Sequence, residues 1–422
     1  MSQTPSTPIR DNFTASDFES TRPDGRFTCS VGYFMNVLRR MKPKLGLETV
    51  ASAEEFPTWK AAVREKLRSH LRIGTEFKAE FKLLSTERRD GYRLCRYEFY
   101  PDELLAVGFI MLVPDDVYEG RRKAPAVICT PGHGGSRHAL AGEPEVGSFP
   151  NRYPLRNRQA WYYVHAGMIA IAIENPAMAE SCEPGLNWGH VTEYCYGLID
   201  LTGRTYHGIQ VEHTLMMLEF LKGNPMVDAS RLALSGLSWG TGNVLYSSLL
   251  SDDVAAAVYN DFISSWAKRV TAVTEVRAAR MWRRSDEPGS QIWFDDEPDL
   301  MAALAPLPII YTEGGPMVNA IDKIRRAYEL AGCPENLTVC YYRKYASPGS
   351  RLHDHEDVHR LTGITDNQYL DYYNVDARDH SFHPEVALPW LSRRFFGHAD
   401  FSAELQAAID ESIAETPHEY RP

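Results

Sequence analysis

The sequence predicts a doubly wound α/β fold on a mostly parallel sheet, and three features carry that expectation. Short, almost wholly apolar runs recur at 126–130, 168–173, 232–234, 255–259, 307–312 and 337–342, as expected of strands buried on both faces. Segments with apolar residues at helical spacing lie between several of them, for example Ile209, Val211, Leu215, Leu218 and Leu221. Most runs end in turn-forming residues such as Pro131-Gly132, Asn175-Pro176, Asn260-Asp261 and Gly314-Gly315-Pro316. Strand and helix in alternation is the pattern of crossover connections in a parallel sheet.

Each element follows in order. Residues 1–30 are rich in Ser, Thr, Pro and Asp and are expected as a surface arm. Trp59, Val63, Leu67 and Leu71 mark an amphipathic helix packing on the main body. Runs at 92–100 and 104–113, rich in aromatic and branched residues, read as two strands joined by a turn at Pro101-Asp102. The chain therefore divides into an N-terminal arm and helical extension (1–90) and a main domain (91–422). Insertions fall near 139–165, 265–305 and 343–378, the second of them placed to cover a site. Helices with Ile321, Ile324, Ala327, Tyr328 and Ala331, and with Val386, Leu388, Trp390 and Leu391, close the pattern.

Bulk composition limits the function classes. With 422 residues and 44% hydrophobic content the chain can build a full core. A net charge of −11 argues against nucleic acid or an anionic membrane surface as main partner. Seven cysteines without a C-x-x-C pair suggest reduced, buried thiols. The polar N-terminus and the lack of a long apolar run point to a cytoplasmic location. Oligomeric state is not legible.

The chemistry concentrates at Gly236-Leu237-Ser238-Trp239-Gly240, a G-x-S-x-G sequence between a strand and a helix. A serine at the tip of such a turn exposes its hydroxyl, and the helix directs its N-terminal amides at charge developing beside it. Ser238 needs a base and a carboxylate to orient that base. His380, between the last strand and the closing helix, is the candidate base; His383 competes but precedes Pro384 as a helix cap would. For the acid, Asp261 at the end of one strand is preferred, with Glu313 in TEGGP as the alternative. The glycine turn His133-Gly134-Gly135 would supply oxyanion amides beside that of Trp239.

These stretches, with PAVICTPGHGG, VDASRLALSGLSWGTG and DHSFHPE, resemble the α/β-hydrolase superfamily, and within it the acetylxylan-esterase-related and dienelactone-hydrolase-like group. The resemblance runs from about residue 104 to the C-terminus. It implies Ser238 as nucleophile, His380 as base, and an oxyanion hole from Trp239, Gly134 and Gly135. TEGGP departs from the pattern, because no Asp stands where the commoner acid would.

The expected activity is that of a serine esterase needing no metal or organic cofactor, acting on a small-molecule or carbohydrate ester. Aromatic residues including Trp161, Trp188, Trp266, Trp282 and Trp293 could stack on sugar rings, although such density also serves core packing. Two alternatives stand beside it. One is a metal-dependent hydrolase using the string His353, Asp354, His355, Glu356, Asp357 and His359. The other is a non-catalytic binding protein on a hydrolase scaffold.

Overall fold

The structure, a computed structural model, describes residues 15–146, 151–186, 188–261, 263, 292–294, 296–313, 318–347 and 380–416. Among them nine strands form one sheet: β1 (Glu80–Arg89), β2 (Tyr92–Tyr100), β3 (Val107–Pro114), β4 (Ala124–Thr130), β5 (Ile169–Ala172), β6 (Val227–Leu237), β7 (Val254–Asn260), β8 (Ile309–Tyr311) and β9 (Leu337–Val339). Their order is β1-β2-β3-β5-β4-β6-β7-β8-β9. Pairing is parallel from β5 through β9 and antiparallel among β1, β2, β3 and β5. The doubly wound, mostly parallel sheet expected from the apolar runs is what forms.

Strand periodicity divides the core into two layers. In β4, Ala126 and Ile128 join one cluster while Val127 and Cys129 join the other, because successive side chains point to opposite faces. Helices Phe56–Leu71, Tyr206–Gly223 and Trp239–Leu250 cover the first face. Gln159–His165, Pro384–Phe396 and Ala403–Ile413 cover the second. Phe56, Trp59, Val63, Leu67 and Leu71 are all buried, so the helix anticipated from their spacing belongs to the main core. Its C-terminus is fixed by Thr205, whose Oγ1 donates to the Leu71 carbonyl at 2.6 Å.

Several elements lie outside the sequence reading. Residues 80–89, left in the N-terminal extension, form β1 and pair along their length with β2. Helices Ser30–Arg40, Trp188–Leu201 and Ala403–Ile413 were not anticipated. Within 139–165, expected as an insertion, Gln159–His165 is helical and buries Ala160, Tyr162, Tyr163 and Val164. All seven cysteines are free thiols; Cys95, Cys129 and Cys333 are buried, whereas Cys29 is exposed. Among the described residues no helix is long and apolar enough to cross a membrane.

A buried polar cluster ties the C-terminal helices to the body. Arg156, fully buried, donates to the Phe382 carbonyl at 3.0 Å, to Glu385 Oε1 at 2.7 Å and to His383 Nδ1 at 2.5 Å. Burial, and then the Arg156 charge, lower the His383 pKa to about 4; burial and the charge of Arg204 do the same to His213. The Glu385 carboxyl, which burial alone would raise, is held at about 2 by His383 and Arg156.

These groups set an acid limit. An unfolded histidine titrates near about 6.5. Between that value and about 4 the unfolded chain binds protons that His213 and His383 do not, so stability falls as pH falls across this window. Glu385 extends the loss below pH 4.5 toward 2. Thermal melting followed from pH 7 to pH 4 should show a steadily falling midpoint. Arg156→Met, which leaves Glu385 buried without its cation, should cost about 3–5 kcal/mol by denaturant titration at neutral pH.

Candidate active site

β6 runs directly into the helix Trp239–Leu250, and the turn between them is the residue Ser238, at φ 52° and ψ −120°. A non-glycine residue at positive φ is strained, and the surroundings hold it there. The Ser238 amide donates to the Asn260 carbonyl at 3.0 Å, and its carbonyl accepts from the Thr241 amide at 2.8 Å. Neither flanking glycine tolerates a side chain. A Cβ on Gly240 would stand 2.6 Å from the Thr130 carbonyl oxygen, and one on Gly236 would stand 2.7 Å from that of Gly240. The elbow thus packs against the end of β4 so tightly that only glycine fits.

Ser238 and His380 line one cavity of about 440 Å³, with the 131–136 loop on one wall and Asn151, Arg152, Tyr153 and Asn157 on another. His380 Nδ1 lies 2.5 Å from Glu313 Oε1. Glu313, fully buried two residues past the end of β8, uses its other oxygen to accept from Asn260 Nδ2 at 2.9 Å. Asp261, the acid preferred from the sequence, is half-buried and its Oδ2 accepts from Thr241 Oγ1 at 3.3 Å. Of the two acids weighed from the sequence, Glu313 is the one hydrogen-bonded to His380. Asp261 bonds Thr241 in the helix after Ser238 and also has an oxygen within 4.8 Å of His380 and Glu313, so both carboxylates gather at the histidine.

His383 is excluded from the cavity. It is fully buried, bonded to Arg156 and 3.2 Å from the Tyr342 hydroxyl, and works as a packing residue.

In the glycine turn the amides of Gly134 and Gly135 both have hydrogen-bond partners. The Gly134 amide donates to Met178 Sδ at 3.3 Å and the Gly135 amide to the Gly132 carbonyl at 3.1 Å. Both amides named as oxyanion donors thus have partners, that of Gly134 in the chain after β5 and that of Gly135 within the loop, where Gly134 at φ 73° turns the chain back on itself. Asn175, at the end of β5, holds that loop by donating to the carbonyls of Pro131 (3.0 Å) and Gly132 (3.2 Å). Trp239 begins the helix after Ser238, where amides and dipole gather positive potential. Its ring stacks on His133 with centroids 4.9 Å apart, and burial lowers the His133 pKa to about 4, so this imidazole is neutral.

Among the described residues one group offers metal-ligand atoms in proximity: Asp261, Glu313 and His380, within 4.8 Å of one another. The 2.5 Å between His380 Nδ1 and Glu313 Oε1 is a hydrogen-bond length. Ligands around a tetrahedral zinc ion at about 2.0 Å would stand about 3.3 Å apart. The 353–359 cluster, Trp266 and Trp282 lie outside the described residues. Trp293 is far from a stacking role at the site: Lys66 and Lys44 lie over its ring, at 3.8 and 4.9 Å.

Sequence reasoning missed Asn260, Asn175 and the polar wall of the cavity. Asn260 and Asn175 each stood at a strand end, where an amide is read as a turn former.

The structure is similar to several known ones. A Bacteroides fragilis protein provisionally named an acetyl xylan esterase is 30% identical, with a TM-score of 0.80 over 91% of this chain and 100% of that one. A methylesterase (15% identity, TM-score 0.50, 91% of this chain and 78% of that one) shares the fold. So does a glucuronoyl esterase from Solibacter usitatus (14%, 0.50, 79% and 96%). No curated protein sequence matches the chain. The model of the abhydrolase family matches residues 12–393, nearly the whole chain, and the protein with its serine elbow at the edge of a parallel sheet belongs to that family.

Proposed function

We propose that the protein is a serine carboxylic ester hydrolase, with Ser238 as nucleophile, His380 as general base and Glu313 as the acid of the triad. The observation that carries this is the 2.5 Å contact of His380 Nδ1 with buried Glu313, on a histidine sharing its cavity with the Ser238 elbow. A carboxylate on Nδ1 fixes the tautomer, leaving Nε2 as the basic nitrogen. Ser238 Oγ attacks the ester carbonyl as Nε2 takes its proton; the imidazolium, stabilised by Glu313, then protonates the leaving alcohol. Water, activated by the same nitrogen, hydrolyses the acyl-enzyme. The tetrahedral oxyanion forms beside the start of helix Trp239–Leu250, where the Trp239 amide is the proposed donor.

The substrate class follows from the cavity and the relatives. A volume of about 440 Å³ is that of a small-molecule site. Its wall carries Glu145, Asn151, Arg152, Tyr153 and Asn157, groups able to bond several hydroxyls. An acylated or methyl-esterified sugar fits that chemistry, and the similar structures named for acetyl xylan, methyl and glucuronoyl esters support it. A non-catalytic role would be favoured by a missing carboxylate after the penultimate strand. Glu313, hydrogen-bonded to His380, offers a carboxylate at that place.

Hydrolysis of p-nitrophenyl acetate tests the assignment. Ser238→Ala should lose at least ~10³-fold in kcat, and Glu313→Gln about 10³–10⁴-fold. Asp261→Asn should keep most of the activity; equal damage from both carboxylate changes would contradict the choice of Glu313. Prolonged treatment with a chelator should leave the rate unchanged, whereas a metal-dependent route would lose activity and recover it on adding the ion.

A further inference from the structure

Asn260 bonds the Ser238 backbone, Glu313 and the chain that follows His380. It ends β7, is fully buried, and its backbone carbonyl accepts the Ser238 amide at 3.0 Å. Its side chain satisfies all four of its hydrogen-bonding capacities. Nδ2 donates to Glu313 Oε2 and to the Ser381 carbonyl, both at 2.9 Å. Oδ1 accepts from Thr312 Oγ1 at 2.7 Å and from the His383 amide at 3.0 Å. The amide's orientation is fixed by its backbone partners, since a carbonyl can only accept and an N–H can only donate.

These contacts constrain the charge relay from two sides. One oxygen of Glu313 meets His380, and a carboxylate held by that oxygen alone could swing about its side-chain torsions. The second oxygen, anchored on Asn260, removes that freedom. The same amide grips the backbone on the C-terminal side of His380, so the acid and the base are positioned against one side chain. We propose that Asn260 is a positioning residue for the Glu313–His380 pair, acting through Glu313 and the 381–383 backbone and not on the substrate. This rests on the reading of Ser238, His380 and Glu313 as a triad.

The test is a double-mutant cycle of Asn260→Ala and Glu313→Gln, with Ser238→Ala alongside, read as kcat and KM on p-nitrophenyl acetate. Asn260→Ala alone should lower kcat about 10²-fold, the scale of a displacement of about 1 Å at a reacting group, with KM little changed. In the Glu313→Gln background the same change should cost less than ~3-fold, because its route of action is already lost. An equal loss in both backgrounds, or a loss confined to KM, would overturn the proposal. Asn260→Asp keeps the oxygen and the volume but removes both donors, and serves if the alanine variant does not fold. It too should lose kcat at constant KM, and a wild-type kcat would overturn the proposal. If Ser238→Ala retains wild-type activity, the triad reading itself fails and takes the positioning role with it; if it is inactive while the cycle is additive, only the positioning role fails.

Discussion

Everything at this site depends on one constraint: parallel strands deliver their C-terminal ends to a single edge of the sheet. β4, β6, β7 and β8 are neighbours in space, so the residues just past them meet although they are spread over nearly two hundred positions in the chain. Pro131–Gly135, Ser238, Asn260 and Glu313 each leave one of those strands, and the closing loop returns His380 to the same edge. A sheet buried on both faces cannot shear without exposing two apolar layers, which makes that edge a rigid place for chemistry. Ligand sites in open α/β sheets gather there for this reason.

Rigidity at the edge is bought with buried polar groups, and each has a partner that fixes a functional segment. Asn175 holds the glycine turn, Asn260 joins Glu313 to the chain just after His380, and Arg156 anchors that chain further on by bonding the Phe382 carbonyl. In a low-dielectric interior such groups are costly if one partner is lost, and well directed if all are present. The strained backbone of Ser238 is held by the same means: Asn260 and Thr241 fix its amide and carbonyl, Gly240 lets the elbow approach the end of β4, and Gly236 lets it fold onto Gly240.

How much could be read from the sequence follows from whether a feature is local. Ser238 was legible because the elbow needs glycines at fixed spacing between an apolar strand and a helix. His380 was legible from its place after the last strand. β1 was not, because most of its residues are exposed and it lacks the apolar alternation that marks a half-buried strand. The hydrogen bond from His380 to Glu313 was not legible because both acidic candidates stand at strand ends. The choice between them depends on where each side chain points, and that is set by packing across strands. Gly134 and Gly135 were expected to present their amides to substrate; a glycine pattern reveals a tight turn but not which way its N–H groups face.

In the proposed mechanism Ser238 is an activated nucleophile served by His380 and Glu313. The most direct test is intact-mass analysis after exposure to a fluorophosphonate, followed by peptide mapping. A single adduct on Ser238 is expected, formed much more slowly in Glu313→Gln than in Asp261→Asn. No adduct on the folded protein, or an adduct mapped to another residue, would contradict it.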